Sequence, residues 1–478
     1  MRVAEHRRSE PRAGFNRRLL APLILGAVLN PVNSSIIAVS LVPIGRFFGA
    51  PPAQTAWLVS ALYLATAIGQ PVVGRLVDGW GPRRLFLIGA ALTGIAGVLG
   101  ALAPSLGVLI AARVILGFGT CAGYPAAMYL IRSESECTGE DSPGFVLTAL
   151  AVSSQTVVVI GPALGGLLIG LGGWQATFAV NVPLAAAALW LGYRRLPRVI
   201  QPQRRPDRPR PGLDLPGILA FAVALTSMLL YLMEPAVSDL YLLAVAVVAA
   251  GLLVWRELHT TEPFLDLRAL GGNRPLMLTY LRTLLTMTIT YAYLYGFSQW
   301  LQDGRGLSPS GSGLILLGLS GAALVVSATT GRRPEIRAKL IVGSVLQFAA
   351  CGLLLVLDGT SALWLLVGVA VLAGLPQGLV NLANQNAVYH QASLDRIGSS
   401  AGLLRTCGYV GATVASAAIG SLFGTTAGTV GLHHLAIFLV VVGGLFVAVT
   451  VFDPALGRVG AQSADAPLNP IGGRNSHV

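Results

Sequence analysis

The chain has 478 residues, 54% of them hydrophobic and 11% charged, with a mean hydropathy of +0.71. That is too apolar for a water-soluble protein, in which about a quarter of residues carry charge. Its 32 Lys and Arg against 20 Asp and Glu would point to nucleic acid in a soluble chain, but here the basic residues sit between long apolar runs, so no nucleic acid is expected. The 58 Gly and 28 Pro suit helices packed in a bilayer. Cys121, Cys137, Cys351 and Cys407 have neither metal-ligand nor disulfide spacing and read as packing residues.

Residues 1–18 form a basic tail. The apolar run behind it passes Leu29 and Pro43 without a small-residue cleavage site, which makes it an uncleaved first span rather than a signal peptide. At about 20 apolar residues per crossing, fourteen spans are expected. Their cores begin at Leu19, Thr55, Leu85, Leu106, Gly144, Trp174, Leu215, Leu240, Leu276, Gly313, Lys339, Ala362, Gly398 and His434. The first six make a bundle over 19–193. A Pro- and Arg-rich linker, 194–214, follows and suits an anionic membrane surface. Then come a two-helix hairpin at 215–258, a loop at 259–274, a second six-helix bundle at 275–453 and a polar tail at 454–478.

Of the 32 Lys and Arg, 27 fall in the tails and loops of one side, while the loops of the other hold only Arg46 and Arg305. The positive-inside rule then puts both termini in the cytoplasm of a multi-pass chain in the cell membrane. Arg113, Arg282 and Arg405 remain within spans.

Between the second and third runs lies GRLVDGWGPRR, Gly74 to Arg84. Gly74 and Gly81 permit close approach and positive φ, Pro82 starts the next helix, and Arg83 and Arg84 anchor it at the surface. The stretch resembles the loop signature of the major facilitator superfamily through Gly74, Leu76, Asp78, Gly81, Arg83 and Arg84, with Gly79 where a basic residue often follows the Asp. The order of six, two and six spans resembles that family's fourteen-helix drug:proton antiporter branch. So do GPALGG at Gly161 to Gly166, GWQATFAVNVP, EPFLDLRAL, QWLQDGRGLSPSGSG and RIGSSAGLLRTCGYVGA.

The resemblance implies an all-α polytopic membrane protein with two six-helix bundles and an inserted hairpin. It implies export of an amphipathic organic substrate, drug or antibiotic, by alternating access against protons. It also implies a gating contact between Asp78 and the start of the thirteenth helix near Gly398 to Ser400, and a kinked fifth span at Gly161, Pro162, Gly165 and Gly166. Generic helix packing is the other reading of those glycines, and the glycine usual four residues earlier is Val157.

Polar residues spaced three and four apart put polar faces on several spans, and in lipid such faces point inward. The cavity candidates are Asn30, Asn33, Tyr63, Gln70, Arg113, Gln155, Arg282, Tyr293, Gln377, Asn381 and Asn384. Interhelical hydrogen bonding is the alternative for the polar stripes. Arg113 matches the family's intramembrane Arg, which the resemblance implies biases a neighbouring proton carrier, and snorkelling is its alternative. Asn33 falls where the branch usually has Asp, and an amide takes up no proton near neutral pH. An uncoupled facilitator or importer is therefore the second reading. Asp78, Glu234 or a charge on the substrate would otherwise have to carry the coupling, since Glu234 and Asp358 lie at outer span ends and Asp214 at an inner one. No catalytic constellation, cofactor motif or metal cluster stands out. The expected partners are a small organic substrate, protons and membrane lipids, around a monomer that is not an enzyme.

Overall fold

Every regular element is helical in the computed structural model, which describes residues 17–138, 144–197, 214–233, 236–260, 272–330, 335–391 and 397–457. Some side chains within those helices, Asp78 and Ser399 among them, lie outside the description. The contact expected for Asp78, the acid Glu234 and most of the 194–214 linker therefore fall outside the described residues.

The first group of helices comprises α1 (Leu20–Phe48), α2 (Pro52–Trp80), α3 (Pro82–Ala101), α4 (Leu106–Thr120), α5 (Gly123–Thr138), α6 (Gly144–Gly172), α7 (Gln175–Ala179) and α8 (Asn181–Arg195). A hairpin follows, α9 (Leu215–Met233) and α10 (Leu240–His259). The second group comprises α11 (Arg274–Ala292), α12 (Ser298–Asp303), α13 (Pro309–Thr330), α14 (Ile336–Leu353), α15 (Leu363–Gln391), α16 (Ile397–Leu422) and α17 (Thr429–Val451).

Local chemistry sets the ends. The 29 residues of α1, at about 1.5 Å rise each, exceed the thickness of a hydrocarbon core, and the helix closes at Gly49, whose φ of 65° is left-handed. Between α2 and α3 the turn is one residue, Gly81, at a φ of 90°, and Pro82 brings its preset φ to the start of α3. Ser105 caps α4 on Val108 N at 3.4 Å, and Asn273 caps α11 on Leu276 N at 3.1 Å.

Among the described residues, 12 helical stretches are long and apolar enough to cross a membrane. Large apolar side chains such as Leu171, Val247, Trp364, Val430 and Val441 are exposed on the outside, as a lipid-facing surface requires. The ninth and thirteenth of the spans expected from the sequence are not among the 12. Their helices are the polar ones: α11 carries Arg282 and a run of threonines and stops at a π turn, Tyr293–Phe297, and α16 mixes Gly, Ser and Thr with Arg405.

The hairpin rests on both groups through Leu229, buried with Ala56 of α2 and Ala417 of α16. Its base is tied by Asp214, which accepts from Arg256 Nε at 2.6 Å and from Gly217 N at 3.2 Å. The largest apolar core also runs across the two groups, joining Leu41, Leu58 and Trp174 to Tyr295, Trp300, Ile315 and Ile419.

Candidate functional site

Contacts between the two groups gather where α1 ends and α2 begins. Arg46 Nη2 meets Asp303 Oδ1 at 2.9 Å, and Ser416 Oγ donates to Ala56 O at 2.7 Å. Ser310 Oγ donates to Gly166 O at 2.9 Å. Glycine permits this approach: a Cβ on Gly166 would lie 2.6 Å from Ser310 Cα, and one on Gly313 would lie 2.9 Å from the Pro162 carbonyl carbon. Within the first group, a Cβ on Gly165 would lie 2.8 Å from Val39 Cγ2, and one on Gly161 would run into the Ser35 side chain. The GPALGG stretch thus presses one face on α1 and, at Pro162 and Gly166, another on α13.

Below that seal lies a cavity of about 140 Å³ shared by both groups. The first group contributes Ser34 and Ser35 of α1 and Gln155, Val158 and Val159 of α6. The second contributes Met287, Thr290 and Tyr291 of α11, Leu294 of the π turn, Ser320 and Ser327 of α13, and Gln377 and Asn381 of α15. Every polar group in this lining is a hydroxyl or an amide. Ser34 and Ser35 bond back to their own helix, Ser34 to Asn30 O at 3.0 Å and Ser35 to Pro31 O at 2.6 Å. Thr290 Oγ1 and Ser320 Oγ are buried with no protein partner, so they are free to bond a guest.

A cluster of tyrosines borders the cavity. The Tyr63 and Tyr295 hydroxyls share a bond of 2.8 Å, and Tyr295 also donates to Ser34 O at 2.9 Å. Tyr291 lies 5.0 Å from Tyr63 and 5.7 Å from Tyr295 between ring centroids, and Tyr63 stacks on Tyr409 of α16 at 5.8 Å. The π turn begins just past Tyr291, at Tyr293, a local rewinding of the kind often found at functional sites.

Of the residues expected to line a cavity, Gln155, Gln377 and Asn381 do so. Asn384 is buried one turn further along α15 with Oδ1 unpartnered, and Gln70 is buried on α2 outside the lining. Asn30 donates to Thr120 Oγ1 at 3.1 Å, a tie from α1 to α4. Asn33 is engaged by Asn181: each amide donates to the other's oxygen, at 2.6 and 2.8 Å. Tyr63 turns to the tyrosine cluster. Tyr293 is not in the lining and donates to Ala350 O of α14.

Arg282 is locked in a fully buried ion pair, Nη1 to Asp453 Oδ2 at 2.6 Å, with Nη2 on Thr279 Oγ1 at 2.6 Å. Arg113 is buried too, but meets only carbonyls, Leu58 O at 2.7 Å and Asn33 O at 3.3 Å, and its Nη2 has no partner. In the loop signature, Gly74 is open enough to take a Cβ without contact, and Gly81 makes the turn. Arg83 donates to Tyr193 O at 2.8 Å and lies over that ring, while Arg84 is exposed.

Sequence reasoning passed over Ser320 and Ser327. Seven residues apart in the apolar middle of α13, they share a face, and that spacing was the available signal. Asn181 was also missed, inside the GWQATFAVNVP run. Of the acids named at span ends, Asp214 is paired with Arg256. Asp358 sits in an exposed turn, where the Thr360 hydroxyl first and its backbone N–H next hold the carboxyl below its usual range.

A family profile described as the Major Facilitator Superfamily matches residues 23–416. The chain is 32% identical over 447 residues to the uncharacterised MFS-type transporter YwoD of Bacillus subtilis (strain 168), covering 91% of this chain and 97% of that one. It is 28% identical over 438 residues to the tetracenomycin C resistance and export protein of Streptomyces glaucescens, covering 88% of this chain and 79% of that one. Among solved structures, the nucleoside transporter NupG aligns over 91% of this chain and all of its own, with a TM-score of 0.61 at 14% identity, which is a likeness of fold.

Proposed function

The chain belongs to the Major Facilitator Superfamily, and from that premise we propose that it exports amphipathic organic compounds, antibiotics or other drugs among them, by alternating access. It is a multi-pass membrane transporter and not an enzyme. The observation that carries the export reading is the cavity lined by α1 and α6 on one side and α11, α13 and α15 on the other, lying beneath contacts that close the bundle at its Arg46 end. A site between two groups of helices, shut at one mouth, is what rocking of two bundles about a central site requires. Apolar walls with a few neutral hydrogen-bonding groups suit an amphipathic guest. The resistance and export protein of Streptomyces glaucescens supports the outward direction.

In this reading the chain crosses the membrane fourteen times, with bundles over 19–193 and 275–453 and a hairpin over 215–258. The stretch from Arg274 to Asp303 and the helix α16, each as long as a crossing, supply the two spans beyond the 12 apolar ones. The placement of basic residues favours cytoplasmic termini and a plasma-membrane location, which makes the Arg46 end external and the closed mouth the outer one. The transporter acts as a monomer in lipid.

A second reading, an uncoupled facilitator, is favoured by the amide pair of Asn33 and Asn181, which leaves no proton-carrying acid at that position. Two measurements test these readings. Expression in an efflux-deficient host should lower sensitivity to some members of a chemically diverse panel of compounds, and the protection should disappear with Gly313→Leu; an unchanged profile across the panel overturns export. Proteoliposome transport that ignores an imposed pH gradient selects the uncoupled form.

A further inference from the structure

Three arginines lie inside the spanning helices, and their surroundings differ. Arg282 is neutralised by Asp453. Arg113 and Arg405 face no carboxylate among the described residues. Arg113 is 1% exposed and is held by two backbone carbonyls, with Nη2 unpartnered. One of those carbonyls is that of Asn33, and the next residue, Ser34, is a wall of the cavity. Arg405 is exposed nine residues into α16, roughly 12 Å along the helix at 1.5 Å per residue, and its guanidinium lies 3.6 Å from the ring centroid of Tyr124, a residue of the opposite group. Tyr409, one turn further on, stacks on Tyr63, which packs on Tyr291 in the cavity wall.

A buried guanidinium without a counter-charge is costly, and it persists where a ligand or a passage supplies the missing partner. The cavity lining holds hydroxyls and amides and no carboxylate. Among the described residues these cations are therefore unbalanced by any acid, and in a low-dielectric wall the field of such a charge acts over several ångströms.

We propose that the transported compound is an organic anion whose carboxylate or comparably acidic group is the counter-charge that Arg113 and Arg405 lack among the described residues, while its apolar body rests against Val158, Val159 and Met287. Arg405 meets the anion between the two groups of helices, and Arg113, one residue behind the wall, sets the potential of the cavity. The proposal rests on the export reading and adds a driving force to it. An anion leaving a negatively charged interior runs down the membrane potential, and one charge moving across about 100 mV is worth a roughly fifty-fold gradient. The neutral Asn33 then needs no proton.

The test uses the full chain in phosphatidylcholine vesicles, with transport followed for fluorescent aryl carboxylates, their methyl esters and the matching amines. The acid should move at least tenfold faster than its ester and its amine. A potassium–valinomycin potential should drive the acid towards the positive side, with the gradient rising steeply with voltage. The acid-to-ester ratio should fall towards one in Arg405→Gln and in Arg113→Gln, and Arg405→Lys should keep it. Arg405 is exposed, so its variant remains informative should the buried Arg113→Gln fail to fold.

A preference for amines, equal rates for acid and ester, or no transport of any probe overturns the anion assignment. If the same chain still protects an efflux-deficient host from a neutral or cationic drug, export stands without it. Acid transport that proceeds only inward under every imposed potential overturns export and leaves the anion assignment. Loss of the acid preference when phosphatidylglycerol is added to the vesicles would identify a lipid headgroup as the counter-charge and overturn the assignment to a solute.

Discussion

Asn33 and Asn181 hold each other by two side-chain hydrogen bonds, 2.6 Å one way and 2.8 Å the other, tying the first helix of the bundle to α8. A reciprocal amide pair satisfies both donors facing each other and both oxygens, so neither residue has a reason to turn towards a guest. In the membrane such ties are modest, averaging about 0.6 kcal/mol and reaching about 1.7. Removing one partner is worse than removing both, because the survivor is left buried and unpaired. Asn33→Ala and Asn181→Ala should each lower the thermal stability of the purified protein, and the double variant should fall by less than the sum of the two. Additive losses would mean that the pair is not coupled.

The seal above the cavity depends on two backbones touching where glycine alone fits. Gly166 and Gly313 face α13 and α6 respectively, with a Cβ meeting Ser310 Cα or the Pro162 carbonyl at 2.9 Å or less. Gly166→Ala and Gly313→Ala should therefore disfavour closure of the Arg46 end and reduce turnover by at least tenfold. Gly321→Ala, on the same helix as Gly313 with nothing within 4 Å of the added carbon, should leave it unchanged. Cysteine labelling near Ala53 and Gly420, which abut across the seal, should become faster in the first two variants only. Equal effects at all three positions would reduce the argument to helix propensity.

The order of the elements was legible in the sequence because crossing a bilayer forces long apolar runs separated by charge. The close approach of GPALGG was legible too, since small residues in a membrane helix have few other uses. Individual polar roles were less so. Asn33, Arg282 and Gln377 all sit on inward faces by period, yet one is bonded to Asn181, one to Asp453 and one lines the cavity. Period fixes the face, but the partner on that face comes from a helix far away in sequence: Asn181 is 148 residues from Asn33, and Asp453 is 171 from Arg282. The π turn at Tyr293–Phe297 could not be read at all from local pattern, as Ala292 and the tyrosines around it suit an uninterrupted helix.

Arg282 and Asp453 form a pair with both side chains fully buried. Their contribution is to the fold of the second group rather than to the guest. Removing one partner of a buried pair costs about 3–5 kcal/mol, because the other charge stays buried alone. Asp453→Asn should therefore sharply lower the melting temperature in detergent, while the fraction that folds binds substrate with wild-type affinity. A variant of full stability with weakened binding would return Arg282 to the substrate site.

The ion pair of Arg46 and Asp303 bridges the same seal, with side chains 67% and 20% exposed. Exposure and a single 2.9 Å contact limit it to the range of surface pairs, up to about 1 kcal/mol, which is a shift of about fivefold in a two-state population. Arg46→Ala or Asp303→Ala should raise the population open at that end by up to that factor, read as the distance distribution between spin labels placed on either side of the seal. The charge-swapped double variant, Arg46→Asp with Asp303→Arg, should restore the closed population. Since solvent reaches the pair, the wild type and the single variants should converge towards about 1 M salt, where the screening length is about 3 Å. A shift that persists at high salt, or that the swap fails to reverse, would place the strength of the seal in the glycine contacts and the apolar core alone.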